Sequence, residues 1–368
     1  MRIAFDSQAF CLQRTGGISR YFCRLAAELV QSNETVGVFA PLYRNSYLAQ
    51  LPQALVHGYG VKNYLPKTAN LMVRLNAQVA TRAMRTWCPE LVHETYFSAR
   101  PALHGKHPTV LTVFDMISEL PELSVASNQS LHDSVKYQAI QRADHVICIS
   151  EATRCDLMRL FDVSSGKISV VHLGCDVVNE PPSTIQNSFA SRPYLLYVGL
   201  REGYKNFNGF LRAVASSQRL MREFDVLAFG GGAFTQTEKG LMLELGFSAT
   251  QVQQRSGDDA SLTRAYRQAE AFVYPSLYEG FGLPPLEAMA QSCPVVSSHT
   301  SSMPEVIGAA AEYFDPTDLD QLSSAIEKVV FDADRRAELI GSGKQRVTDF
   351  TWASCANKTA EVYRALCH

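Results

Sequence analysis

Residues 274–290 read YPSLYEGFGLPPLEAMA and hold two carboxylates, Glu279 and Glu287, eight positions apart with glycines and prolines between them. Just upstream, AFVYPS (271–276) is an apolar run of strand length that stops at Pro275. Downstream, PPLEAMAQS predicts a short helix that can begin at its prolines, because proline is well tolerated in a first turn. LYEGFGL is therefore a loop that leaves the carboxyl end of a strand and feeds a helix N-terminus. Gly280 and Gly282 let backbone approach a ligand closely, and the unpaired N–H groups and positive dipole end of the helix favour an anion by roughly 0.3 to 1 kcal/mol. Glu279 could accept hydrogen bonds from sugar hydroxyls. Glu287, expected in the first helical turn, could take both hydroxyls of a ribose, although a glutamate near a helix N-terminus is also favourable on its own account.

The same alternation extends in both directions. RIAF, TVGVFA, LVHETYF, TVLTVFD, HVICIS, ISVVHL, YLLYVG, FDVLAFG, AFVYPS and CPVVSS are short β-branched or apolar runs separated by amphipathic stretches of helical length. That pattern predicts parallel sheets covered on both faces. Between 178 and 193 it breaks into VNEPPSTIQNSFASRP, the best linker candidate. The expectation is a first doubly wound domain over 1–178, a linker over 179–193, a second domain over 194–350 and a terminal helix over 351–368 that could return to the first domain. In each half the first strand precedes a glycine-bearing turn, TGGISRYF and GLREGYKN. Sheets of this kind bind ligands at their strand carboxyl ends, so two of them facing each other would share a cleft.

The composition suits such a chain. Its 368 residues are 46% apolar and 19% charged, which argues for two well-cored domains and against disorder. No run approaches the roughly 18 apolar residues of a membrane span, and MRIAFDSQAF lacks a signal-peptide core, so a cytoplasmic location is expected. Nine scattered cysteines with no metal-ligand spacing predict reduced thiols. Residues 1–106 carry twelve Lys/Arg against five Asp/Glu, while the whole chain has a net charge of −2. A basic first third is either a solvated face or a surface for something anionic, such as a membrane or a phosphorylated acceptor. Within it, NLMVRLNAQVATRAMRTW (70–87) sets Leu71, Leu75, Val79, Ala83 and Trp87 in one row, with Arg74, Arg82 and Arg85 largely elsewhere. Core packing of that row is the leading expectation, and a helix resting on an anionic membrane the second.

The opening stretch closely resembles the E-x7-E signature of retaining, nucleotide-sugar-dependent glycosyltransferases of family 4. Further matches run in order along nearly the whole chain: TGGISRYFCRLAAEL, VLTVFDMISELPE, ADHVICISEATRCDLMRLFDVSSGKISVVHLGCD, YLLYVGLREGYKNF and SSHTSSMPEVIG. The resemblance implies the α/β GT-B fold, two facing Rossmann-like doubly wound domains with an interdomain cleft. It implies that Glu279 contacts the donor sugar with help from the backbone of Gly280, Phe281, Gly282 and Leu283, and that Glu287 holds the ribose. Lys205 matches the lysine that neutralises the donor diphosphate. Arg201 is the expected second cation, although many relatives place an arginine directly before that lysine, where this chain has Tyr204. Gly16 and Gly17 match the N-terminal glycine turn that faces the phosphates, and Arg20 follows one helical turn later. Asp115 is the acceptor-side candidate or a cap for the following helix, since Phe114 replaces a histidine common in relatives. Asp258 and Asp259 fall where relatives contact the base, and a carboxylate there could accept guanine N1–H and N2–H2, which points to a GDP-sugar.

The triplets Asp318-Leu-Asp320 and Asp332-Ala-Asp334 do not end apolar strands. Asp318 reads as a helix cap and Asp332 as a surface residue, so neither a metal nor any other cofactor is expected. The resulting expectation is a retaining, metal-independent hexosyltransferase, mannosyltransferase-like, acting from a nucleotide sugar on a glycan or polyprenyl-diphosphate-linked acceptor of a surface polysaccharide. It would work in the cytoplasm or at the inner face of the plasma membrane, with no nucleic-acid partner. The alternatives are a UDP-sugar donor, an epimerase or hydrolase, for which no placed general base is evident, and a non-catalytic nucleotide-binding assembly subunit.

Overall fold

The computed structural model describes residues 1–64, 68–121, 123, 134–176, 189, 192–201 and 203–367. The chain divides into two compact units, Met1–Gly174 with Trp352–His368, and Cys175–Thr351. Most of the expected linker, 179–188 and 190–191, lies outside the described residues.

The first unit is built on β1 (Arg2–Phe5), β2 (Thr35–Val38), a short parallel pair β3 (Leu42–Tyr43) and β4 (Tyr59–Gly60), then β5 (Leu91–Glu94), β6 (Thr109–Val113), β7 (His145–Cys148) and β8 (Ile168–Val170). Six of these form an all-parallel sheet in the order β2-β1-β5-β6-β7-β8. The second unit contains β9 (Tyr194–Val198), β10 (Asp225–Phe229), β11 (Val252–Arg255), β12 (Ala271–Tyr274), β13 (Val295–Ser298) and β14 (Ala311–Phe314). They too are all parallel, ordered β11-β10-β9-β12-β13-β14. Every residue of β5, β6, β10, β12 and β13 is buried, as helices on both faces of a parallel sheet require. The strands β11 (VQQR) and β14 (AEYF) carry polar residues and show no continuous apolar run because each is a sheet edge and only partly buried.

Each sheet reverses its winding direction once. In the first unit the order turns between β1 and β5, and in the second between β9 and β12. Crevices at such switch points are where open α/β sheets bind ligands, because adjacent loops leave the strand ends in opposite directions.

The terminal helix Trp352–Cys367 belongs to the first unit and packs on the helix Gly17–Gln31. His93 Nδ1 lies 2.5 Å from the Tyr363 hydroxyl, and its Nε2 lies 2.9 Å from Thr112 Oγ1. A Cβ on Gly174 would sit 2.4 Å from the Trp352 amide nitrogen, so only glycine lets the helix start there.

The helix Ala69–Trp87 corrects the expectation that its apolar row is core. Ala80 and Met84 are buried with Phe39 and Val92, and Ala83 and Trp87 pack against them, but Leu71, Leu75 and Val79 are exposed. The reason is geometric: an i, i+4 row drifts about 40° per step around a helix, so this one winds from solvent into the core.

Candidate active site

In the second unit, the switch point brings together two loops that lie far apart in the chain. After β9 the backbone turns through Gly199 (φ 129°) into a 3₁₀ turn, Gly203–Lys205, and then into the helix Phe207–Ser216. Asn206 caps that helix in the left-handed region, and its side-chain amide donates to the Pro316 carbonyl. After β12 the loop 275–282 leads to the helix Leu283–Ala290, capped by Gly282 at φ 109°. The Leu277 amide donates to the Tyr204 carbonyl at 2.7 Å and joins the two loops. Lys205 Nζ then meets Glu279 Oε1 at 2.7 Å, with both side chains largely buried. Burial, and after it the Glu279 carboxylate to which it is hydrogen-bonded, push the Tyr274 hydroxyl far above the usual phenol range, so it stays protonated.

A row of hydroxyls at the carboxyl end of β13 and just beyond it holds the Glu279 loop from one side. Ser298 Oγ donates to the Ser276 carbonyl (2.6 Å) and Thr300 Oγ1 to that of Leu277 (2.8 Å). Ser301 Oγ receives the Glu279 amide (2.9 Å) and donates to the Glu279 carbonyl (3.0 Å). The fully buried Ser302 Oγ reaches the carbonyls of both Glu279 and Phe281 at 2.9 Å. This clamp consumes backbone carbonyls that the irregular loop leaves unpaired. Phe281 anchors the loop by its ring, buried edge-on against Phe350, so it contributes backbone rather than side chain to the loop surface. The dense hydroxyl run SSHTSS was the signal for the clamp, but the carbonyls that it serves are 22 residues or so away, as for Ser301 and Glu279.

Four expected assignments change. Arg201 is not a free second cation: it is 8% exposed, pairs with Glu238 (2.6 Å), and donates to the carbonyls of Gly230, Gly232 and Ala233. It braces a turn of three consecutive left-handed glycines, Gly230–Gly232, that follows β10. Glu287 is the fifth residue of its helix and so lies in the second turn, because the helix starts at Leu283. Asp258 spends Oδ1 on the Ser261 amide as the cap of the helix Asp259–Gln268, and those bonds hold its carboxyl below the usual range. Asp259, in the first turn, makes no side-chain hydrogen bond among the described residues. Asp318 caps the helix Leu319–Phe331, and Asp332, expected as a plain surface residue, caps the next one, Ala333–Val347. Among the described residues no cluster of three or more His, Cys, Asp or Glu side chains could hold a metal ion.

In the first unit, Gly16 caps the helix Gly17–Gln31 in an extended conformation, and the Gln13 side chain accepts the Ser19 amide in place of a capping residue. Arg20 lies in the first turn. After β6, Asp115 stands one residue before Met116, the N-cap of the 3₁₀ turn Ile117–Glu119, and its Oδ1 accepts the Ile117 amide at 3.1 Å. Asp115 also lines a cavity of about 290 Å³ with Tyr96, Phe97, Phe114, Glu119 and Lys136 among its walls. Lys136 Nζ donates to Glu119 (2.6 Å) and to the Asp115 carbonyl (2.6 Å), beneath the Phe97 ring. Phe114 packs edge-on against Tyr21, so the position of the missing histidine is filled by an apolar contact. None of Tyr96, Phe97, Glu119 or Lys136 stands out in the sequence, since the cavity is assembled from four separate chain segments, the fourth being that of Ile18.

Two Rossmann-like parallel-sheet units, one with a lysine and carboxylate at its switch point, define a GT-B glycosyltransferase. Residues 15–179 match the family described as Glycosyltransferase Family 4, and residues 183–346 match Glycosyl transferases group 1; the chain belongs to this family. It is 27% identical to O-antigen chain mannosyltransferase B of Escherichia coli over 100% of both chains. It is 33% identical to MMP alpha-(1->4)-mannosyltransferase of Mycolicibacterium hassiacum over 59% of this chain and 53% of that protein. Among solved structures, Alr3699/HepE of Anabaena in complex with UDP and glucose has a TM-score of 0.74 at 17% identity, covering 99% of both chains.

Proposed function

We propose that the protein is a retaining, metal-independent hexosyltransferase that moves mannose or a related hexose from a GDP-sugar to a lipid-linked glycan of a surface polysaccharide, at the cytoplasmic face of the membrane. The Lys205–Glu279 contact at the switch point carries this reading. A donor diphosphate would draw Lys205 away from Glu279, leaving the carboxylate to accept hydroxyls of the donor sugar. Glu287 would take the ribose and Asp259 the guanine N1–H and N2–H2.

In the reaction the bond from the anomeric carbon to the donor phosphate oxygen breaks, positive charge builds on that carbon, and negative charge builds on the leaving diphosphate. Lys205 and the N-terminus of the helix Leu283–Ala290 would stabilise the leaving charge; preorganised groups of this kind are worth roughly 10²- to 10³-fold each. The acceptor oxygen bonds the anomeric carbon on the same face, and its proton passes to the departing diphosphate. No side chain need act as nucleophile. On the acceptor side, the aromatic walls and the carboxylates of Asp115 and Glu119, with Lys136 already paired, suit an uncharged sugar ring better than a phosphate.

The names of the mannosyltransferase relatives support the hexose and the acceptor class. The UDP complex of the Anabaena protein makes a UDP-sugar the competing donor. Incubating the protein with GDP- and UDP-sugars, with and without EDTA, tests both. Slow release of GDP from GDP-mannose, insensitive to EDTA and lost on Lys205→Ala or Glu279→Ala, is expected. Donor binding without turnover under every acceptor condition would instead identify a non-catalytic assembly subunit.

A further inference from the structure

We propose that the buried ion pair of Glu94 and Arg142 positions the aromatic wall of the cavity after β6 and thereby sets its affinity for a sugar; the inference rests on the reading of that cavity as the acceptor site. Glu94 is the last residue of β5, with a side chain closed to solvent, and Arg142 is the last of the helix Val135–Arg142. Their contact is a two-pronged fork: Arg142 Nη1 donates to Glu94 Oε1 at 3.1 Å and Nη2 to Oε2 at 2.8 Å. A buried pair of this kind is often no more stabilising than apolar side chains of similar volume, so net stability is a weak reason for its presence. Its remaining hydrogen-bonding capacity goes to one loop: Glu94 Oε1 also accepts the Ala102 amide, and Arg142 Nη2 also donates to the Ser98 carbonyl, both at 2.8 Å.

Residues 95–102 form neither helix nor strand, so these bonds, with those at the near end of the loop, fix its course. At that end Asp6 Oδ1 accepts the Thr95 amide (3.0 Å), and Gln8 Nε2 bridges Asp6 Oδ2 (2.6 Å) and the Tyr96 carbonyl (3.1 Å). Between the two sets of anchors lie Tyr96 and Phe97, whose ring centroids stand 5.0 Å apart; both residues line the cavity. An aromatic face with a phenol tip matches the C–H face and the hydroxyls of a sugar ring. The helix that carries Arg142 also carries Lys136, about 9 Å back along its axis. Lys136 in turn holds Glu119 and the Asp115 carbonyl beneath the Phe97 ring. One helix therefore sets the loop after β5 through Arg142 and the loop after β6 through Lys136, which keeps the two cavity walls at a fixed spacing.

The test is the double variant Glu94→Leu/Arg142→Met of the full chain, which removes both charges and leaves neither unpaired. It is studied at about pH 8, because burial and, after it, the Asp6 charge push the Glu94 carboxyl up to about 7 against the pull of Arg142. Its urea midpoint and its hydrolysis of GDP-mannose without acceptor should stay close to those of the wild type. Amide exchange over 95–102 should quicken. The Kd for octyl α-mannopyranoside, read by saturation-transfer NMR, should rise roughly tenfold, as a displaced binding wall requires. Arg142→Lys keeps the charge but not the fork, and its Kd should fall between the two. Unchanged exchange or unchanged glycoside affinity in the double variant would overturn the proposal. So would a wild type that binds no glycoside, or an affinity lost only in step with the urea midpoint, which would make the pair merely structural. Weakened glycoside binding in a protein that turns over no donor would count against the proposed transferase reaction and leave the positioning role standing.

Discussion

Lys205 Nζ and Glu279 Oε1 stand 2.7 Å apart although 74 residues separate them, because β9 and β12 are neighbours at the point where the second sheet reverses direction. Removing either partner leaves the other charge in a largely buried site. We therefore expect Lys205→Ala and Glu279→Ala each to lower stability by about 1–3 kcal/mol, and the double variant to lose less than their sum. Denaturant midpoints for the cycle measure this; strict additivity would mean that the contact is incidental.

The brace formed by Arg201 predicts a positioning effect. A Cβ on Gly231, at φ 68°, would meet Arg201 Nη1 at 2.5 Å and the Gly199 carbonyl at 2.9 Å. Gly231→Ala and Arg201→Lys should therefore disturb the loops after β9 and β10 together. The expected result is a donor KM raised several-fold with a smaller change in kcat, since the groups assigned to the leaving diphosphate are retained. A pure kcat loss in Arg201→Lys would return that guanidinium to the chemistry.

His93 links stability to pH. Burial lowers its folded pKa from 6.5 to about 3, so the native state keeps it neutral while the unfolded state takes up a proton below 6.5. Stability is therefore full above about pH 6.5 and falls as pH drops toward 3. Between pH 6.5 and 5 the loss amounts to about 2 kcal/mol at 1.36 kcal/mol per pH unit. Urea unfolding of His93→Gln should lack this slope relative to wild type, and Tyr363→Phe should retain it. An equal pH dependence in all three would remove His93 as its source.

The cavity after β6 predicts the character of the acceptor. Asp115→Asn retains a side-chain oxygen for the Ile117 amide but removes the charge, so acceptor KM should rise while donor hydrolysis in the absence of acceptor is unchanged. Tyr96→Ala should have the same signature through lost ring contact. If either variant abolishes hydrolysis of the donor, the cavity serves the donor sugar instead.

Strand identity was readable wherever a strand is central. YLLYV and AFVY are continuous apolar runs because a parallel strand covered on both faces has no polar side, whereas the edge strand VQQR has one and carries no apolar signature. The loop between Glu279 and the helix Leu283–Ala290 was readable for a similar reason: glycine and proline constrain backbone locally, so their meaning is carried by adjacent residues.

The roles of Arg201 and Asp258 could not be read in this way. Arginine after a strand has the same local signature whether its guanidinium meets a ligand or, as here, the carbonyls of a glycine turn 29 to 32 residues away. Asp258 could serve base or helix equally until the Ser261 amide was placed beside it.

By itself the sequence determined the two parallel-sheet units, the loop that carries Glu279 and the family to which the chain belongs, because each rests on periodicity or on local backbone chemistry. Only the tertiary structure decided that Lys205 and Glu279 pair, that the hydroxyls of Ser301 and Ser302 clamp their loop, and that Leu71, Leu75 and Val79 face solvent. Those outcomes depend on sheet order and on the rotation of a helix against its core, and both are set by packing between segments distant in the chain.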